Sequence, residues 1–236
     1  LPSWANRVIY PEGANDPEIQ RQKRLLPPEV FEEKYAGKRT MPAHRVLKEF
    51  SVERNCGVPP WGPGLDTNRS VELWIDPGIA HPHAVLAVQF HGRTAWVVDI
   101  VYMKERTCQQ VIDVCKKRAW WKLVDYWVMD IAGRNRNAAG TSYWQIWSSN
   151  LPGVPARATK VTLVSGYDRH RECLLADEGD PKLMFLEKHC GPILIEYGKH
   201  VYKTLPDGTV ISEQPVDLWN DAIKAATYGL WDHWGP

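Results

Sequence analysis

Between residues 71 and 102 the chain reads as three strands in succession. Val71, Leu73, Trp74 and Ile75 make a short apolar run. Two more runs, 84–90 and 94–102, are joined by His91-Gly92-Arg93, a hairpin-turn sequence. The period then changes. Cys108, Val111, Ile112, Cys115 and Ala119 fall at helical spacing, which predicts an amphipathic helix with Thr107 as its N-cap and Lys116-Lys117-Arg118 in its last turns. Residues 124–131 predict a fourth strand, 141–148 a helix, 160–164 a fifth strand and 167–177 a helix. Short strands are expected at 193–196, 200–204 and 210–213, the last two flanking the turn Pro206-Asp207-Gly208. A helix over 218–230 closes the chain. The order predicts an α/β fold: a mixed central sheet with helices on both faces.

Residues 1–69 differ in kind. They are rich in Pro, Arg, Lys and Glu, with breaks at Pro27-Pro28 and over 56–64. One short helix is predicted near 29–36, with Pro28 at its start and Gly37 after its end. This stretch reads as an extended arm or connector, and the packed domain as residues 70–236. The opening LPSWANRV has neither an initiator Met nor an apolar leader, which reads as an excised fragment or processed product.

Composition narrows the picture. Of 236 residues, 44% are hydrophobic, enough for a core, and the net charge is only +1, so an anionic partner must be met by a local basic patch. The five cysteines contain no CxxC pair and read as buried reduced thiols, not as a zinc site or a disulfide frame. No apolar run is long enough to span a membrane.

The candidate chemistry lies in three acids. Asp76 ends the first strand before Pro77-Gly78, and Asp130 ends the fourth shortly before Gly133. Singly, each is also a common way to start a loop. Asp221 lies in the closing helix, off its main apolar stripe of Trp219, Ala222, Ile223, Ala226 and Leu230. An acid there also complements the helix dipole. The small Ala225 and Gly229 let that helix approach a sheet closely, carrying Asp221 toward the strand ends. Together the three make a set of hard oxygen donors, suited to Mg2+ or Mn2+ and not to zinc. Two such ions can activate a water and stabilise the leaving oxygen of a phosphodiester.

With these motifs the chain resembles the nuclease domain of phage large terminase subunits. The match rests on Asp76-Pro77-Gly78, on Asp130, and on Asn220-Asp221-Ala222-Ile223-Lys224-Ala225 through Tyr228-Gly229. It covers roughly residues 70–231. The resemblance implies an RNase H-like fold, two divalent ions held by Asp76, Asp130 and Asp221, and cutting of concatemeric double-stranded viral DNA during packaging. It implies residues 1–69 as the link to a motor ATPase, with portal and small terminase subunit as partners in the host cytoplasm and no membrane. Two departures stand out. Lys224 and Asn220 occupy places where relatives carry acids, which leaves Asp217 as the candidate fourth ligand. No G-x-x-x-x-G-K-[ST] occurs, so ATP hydrolysis is not expected of this chain.

For holding DNA phosphates, Arg134, Asn135, Arg136 and Asn137 follow Asp130 directly, and Arg157, Lys160, residues 169–171, Lys199 and Lys203 add charge in later segments. Arg134, Arg136, Lys160, Arg169, Lys199 and Lys203 are the DNA-binding candidates; each also reads as ordinary solvated surface. His81 and His83 fall in the loop after Asp76. Most of the twelve Trp read as packing, with Trp61 or Trp234 left to face a partner. Two readings compete with the nuclease: a junction resolvase or transposase of the same fold, and a non-catalytic Trp-rich binding or docking module.

Overall fold

The computed structural model describes residues 1–25, 31, 34–37, 44–136, 140–175, 181–205 and 209–235. In chain order the first elements are α1 (Pro17–Leu25), α2 (Val52–Asn55), β1 (Val71–Asp76), β2 (His83–His91) and β3 (Thr94–Met103). Next come α3 (Cys108–Cys115), β4 (Val124–Asp130), α4 (Tyr143–Asn150), β5 (Ala156–Thr159), α5 (Leu163–Leu174) and β6 (Leu183–Phe185). The last are α6 (Gly191–Lys199), β7 (Tyr202–Thr204), β8 (Val210–Pro215) and α7 (Asp221–Trp234).

By its contacts the chain divides into two units. The smaller contains residues 1–45 and 201–214. In it α1 starts after Asp16, whose Oδ1 accepts from the Glu18 amide at 3.1 Å, and buries Ile19. Trp4, Phe31 and Tyr35 stack in sequence, and β7 pairs with β8. Most of the helix predicted at 29–36, and the turn at 206–208, lie outside the described residues.

The larger unit contains residues 46–200 and 215–236 and is built on a six-stranded sheet of order β5-β4-β1-β2-β3-β6. β1, β2 and β3 form the antiparallel meander that the sequence predicts. β4 runs parallel to β1, β5 to β4 and β6 to β3. Successive side chains on a strand alternate between faces. Leu73, Ile75, Val85, Ala87, Trp127 and Met129 point to one face, where α3 brings Val111, Ile112 and Cys115 and α4 brings Trp147. The intervening Trp74, Asp76, Tyr126, Val128 and Asp130 therefore point to the other, which α7 covers. The Tyr126 hydroxyl reaches Asp232 at 2.9 Å, and His233 Nε2 reaches Glu72 at 2.7 Å. α7 lies close because it turns Ala222, Ala225, Ala226 and Gly229, all buried, to the sheet. A Cβ on Gly229 would fall inside the Trp74 indole.

Residues 46–69 pack within this unit. The buried Asn55 side chain donates to the Leu174 carbonyl at 2.9 Å and the Leu183 carbonyl at 3.3 Å, and Phe50 stacks on Tyr197 with centroids 4.2 Å apart. All five cysteines are free and four are buried, Cys108 and Cys115 on the inner face of α3. No helix among the described residues is long and apolar enough to cross a membrane.

Several predicted elements are corrected. The helix drawn through Ala119 ends at Cys115, where bonds from Lys117 to Val114 and from Arg118 to Cys115 tighten the chain into a turn, and 119–123 form a 3-10 helix. The fifth strand is 156–159, not 160–164: the Thr162 side chain accepts from the Ser165 amide and starts α5, leaving Leu163 and Val164 exposed. Residues 193–196 are helix, not strand. Pro192 opens α6, which buries Ile193, Glu196 and Tyr197 at helical spacing. The closing helix starts at Asp221, not 218, because Trp219 takes a left-handed backbone with φ 58° and points its ring outward. α1, α2 and β6 are additions.

Candidate active site

Strand period and register bring the first two acids together. Ile75 pairs with Met129 across the parallel β1–β4 ladder, so Asp76 and Asp130 are the next residues on neighbouring strands, on the same face. Such strands lie about 4.8 Å apart. The third acid arrives from α7. Asp221, its first residue, is only 5% exposed. Asp76, Asp130, Asp217 and Asp221 line one cleft of about 260 Å3 with Lys224, Tyr228 and the loop 77–81. Thus the four predicted acidic candidates, drawn from the opening, middle and closing segments of the domain, share one wall.

The electrostatics are those of crowded, desolvated carboxylates. Burial pushes Asp76 well above the usual carboxylate range; Lys224 opposes the shift, and Asp221, Asp130 and Glu196 reinforce it. Asp221 is raised for the same first reason, against Lys224 and His81. Burial raises the Tyr228 pKa, and the Asp76 and Asp130 carboxylates reinforce the shift. Asp217, at the exposed rim, is held low by hydrogen bonds from Lys224 and from Asn220. Like charges this close are tolerated only with a proton or a cation between them. The donors are oxygen throughout, which fits a hard divalent ion. With the side chains as they stand, no three acid, His or Cys groups among the described residues are close enough to hold one ion. The donor chemistry fits; ligation requires the carboxylates to rotate together.

Sequence reasoning missed Glu196. It is 1% exposed on α6, and its carboxylate accepts three hydrogen bonds: from the Tyr102 hydroxyl at 2.7 Å, the Asp221 amide at 3.1 Å and the Ile223 amide at 2.9 Å. Asn220 makes no side-chain cap on α7, so Glu196 caps the helix from a distance and fixes where Asp221 points. Burial raises its pKa to about 7, against the Tyr102 bond that lowers it. The one local signal was an acid inside the apolar GPILIEYG. Tyr102 also reaches Asp221 Oδ2, at 3.5 Å.

The basic candidates are dispersed. Arg134 and Arg136 are exposed just after Asp130, and the Arg134 guanidinium lies 4.1 Å over Trp144. Asn137 is outside the described residues. Lys160 is exposed beyond β5; Arg157 pairs with Asp232 at 3.2 Å and Arg169 with Glu172 at 2.6 Å. Lys199 sits 4.1 Å over Trp219, and Lys203 is on β7 in the smaller unit. Among the described residues lining the cleft, Lys224 is the one fixed cation. His81 lines the cleft, whereas His83 is not in the loop: it opens β2, fully buried, with neither ring nitrogen hydrogen-bonded.

No family model matches the sequence, and no curated protein does. Solved structures do. The large terminase of a thermophilic bacteriophage, in complex with ATP-gamma-S, aligns at a TM-score of 0.60 and 12% identity, over 90% of this chain and 51% of that one. This chain thus spans about half the length of that protein. The P22 large terminase nuclease domain aligns at 0.58 and 16% identity, over 80% of this chain and 92% of that one. The nuclease domain of the large terminase g2p from bacteriophage SPP1, with bound Mn, aligns at 0.52 and 14% identity, over 82% of this chain and 98% of that one. With the sheet order and the α7 packing described above, these alignments show that the chain has the RNase H-like fold of phage large terminase nuclease domains.

Proposed function

We propose that the chain is a divalent-metal-dependent DNA endonuclease that cuts concatemeric viral DNA during genome packaging. The observation that carries this reading is the meeting of Asp76, Asp130 and Asp221, from two strand ends and a helix start, in one cleft. The fold likeness supports it, as does the bound Mn of the SPP1 domain. Mg2+ or Mn2+, as a pair in this reading, supplies the positive charge that lowers the pKa of a water and stabilises the leaving oxygen.

The chain's own residues do the rest. Asp76 and Asp130 present carboxylate oxygens from a rigid sheet, and Asp221 closes the set from above. Glu196 keeps the Asp221 backbone in place through the Asp221 and Ile223 amides. Tyr228 lines the cleft beside these acids. Exposed Arg134 and Arg136, next to Asp130 in the chain, hold substrate phosphates, with Lys160, Arg169 and Lys199 as further candidates on the same unit and Lys203 a separate one on the smaller unit; such contacts position DNA without reading its sequence. In this reading residues 1–69 form the connection to a motor, this chain hydrolyses no ATP, and the portal and small terminase subunit are its partners at the procapsid in the host cytoplasm.

The test is nicking of supercoiled plasmid with Mn2+ or Mg2+. Cutting that chelator abolishes, and that Asp76→Asn and Asp130→Asn lose, is expected. Full cutting by either variant overturns the assignment. A preference for four-way junctions over linear duplex would move the assignment to a resolvase of the same fold.

A further inference from the structure

Lys224 is a charged cleft residue that the nuclease reading leaves without a task. It lies on α7 one turn after Asp221 and lines the cleft together with Asp76, Asp130 and Asp221. Its Nζ is 2.9 Å from Asp217 Oδ1; the Lys224 side chain is 28% exposed and that of Asp217 72%. The pair therefore straddles the rim, with Asp217 in solvent and the lysine stem running into the cleft. A pair open to water on one side is weak and easily exchanged. Beyond the Asp217 hydrogen bond, acids inside the cleft also act on the ammonium. Asp76 and Asp221 both act on the ammonium, and Lys224 is the largest influence opposing burial at each of these acids.

We propose that Lys224 is the built-in counter-ion of the metal-free cleft and competes with the divalent ion for the same carboxylates. The proposal rests on the cleft being a divalent-metal site. Its physical basis is charge balance. Several carboxylates crowd a desolvated cleft whose one fixed cation, among the described lining residues, is this ammonium. It neutralises part of their repulsion while no metal is bound. A divalent ion placed among the same oxygens lies within a few ångströms of the ammonium, where repulsion is strong. Binding the ion then takes Asp76 and Asp221 from the ammonium and leaves it to Asp217 at the cleft mouth.

The experiment is Mn2+ binding to the purified chain, by calorimetry and by the electron paramagnetic resonance of free Mn2+, without DNA. Wild type is compared with Lys224→Met, Lys224→Gln and Lys224→Arg, each checked for native circular dichroism. The two neutral variants are expected to bind Mn2+ at least about fivefold more tightly than wild type, and Lys224→Arg within about twofold of it. Two neutral variants guard against either one failing to fold. Equal or weaker binding by the neutral variants overturns the competition while leaving the metal site standing. A wild-type chain that binds no Mn2+ overturns both.

Discussion

Replacing Asp76 by Asn separates a ligand from a structural acid, because the two roles give opposite signs of stability change. A carboxylate that merely starts a loop loses useful hydrogen bonds when neutralised. A carboxylate crowded against other acids loses repulsion. Asp76 is of the second kind: burial, Asp221, Asp130 and Glu196 all raise its pKa, and Lys224 opposes them. A tenfold change in an ionisation equilibrium corresponds to about 1.4 kcal/mol. Asp76 keeps some contact with solvent, and the variant also deprives Lys224 of a partner, so the net gain is set at about 1–2 kcal/mol. For a chain of this size that is roughly 2–8 °C in Tm.

The pH dependence follows from the direction of the shift. The unfolded chain ionises Asp76 near its ordinary value of 3.8, while the folded chain does so only at higher pH. Asp76 therefore costs stability increasingly as pH rises from about 4 through the folded pKa, and Asn removes that cost. The assay is calorimetric melting in EDTA at pH 5 and pH 8, then with excess Mn2+. Asp76→Asn is expected to melt above wild type at pH 8 without metal, with a smaller margin at pH 5, and to gain less from Mn2+. A variant several degrees below wild type in EDTA at both pH values would refute the reasoning and make Asp76 structural.

Three further changes probe the scaffold. Gly229→Ala places a methyl inside the Trp74 indole, which forces α7 off the sheet; it should cost about 1–3 kcal/mol in chemical denaturation and reduce nicking by moving Asp221. Glu196→Gln keeps the shape but cannot accept from all of Tyr102, Asp221 and Ile223; it should cost about 1.5–3 kcal/mol and weaken Mn2+ binding in calorimetry, and unchanged Mn2+ affinity would leave Glu196 a helix cap with no bearing on the site. His83 is buried with unpartnered ring nitrogens, and its pKa is lowered by burial to about 4. The unfolded chain takes up this proton first, so stability should fall as pH drops from 6.5 toward 4. His83→Leu should flatten part of that fall in pH-dependent melting, the buried His170 and His200 supplying the remainder.

The strand ends were the legible part of the chain. Around Asp76 and Asp130 the chain states both its period and its stop: an apolar run, an acid, a turn. The parallel register of β1 and β4 then makes the two acids neighbours. The small residues of α7 were equally plain, since Ala225 and Gly229 announce a close approach that the Trp74 contact realises. What stayed hidden depends on partners distant in sequence. Residues 193–196 carry the β-branched Ile193 and Ile195, and only the burial of Ile193 and Tyr197 at helical spacing makes them helix. Glu196 gains its role from amides 25 and 27 residues away. Residues 160–164 look apolar enough for a strand, yet the Thr162 cap decides for helix and leaves the apolar side chains outside. Lys224 stands in the sequence where relatives carry an acid; its place among the acids of this cleft emerges from the fold.

The central claim is that Asp76, Asp130 and Asp221 hold a divalent cation in one cleft. Crystals soaked in Mn2+ and measured at an energy where manganese scatters anomalously test it directly. The account predicts an anomalous peak within about 2.5 Å of carboxylate oxygens from both strand ends, with Asp221 rotated toward it. Well-diffracting crystals at saturating Mn2+ with no peak in the cleft, or with manganese only at surface acids elsewhere, would contradict it.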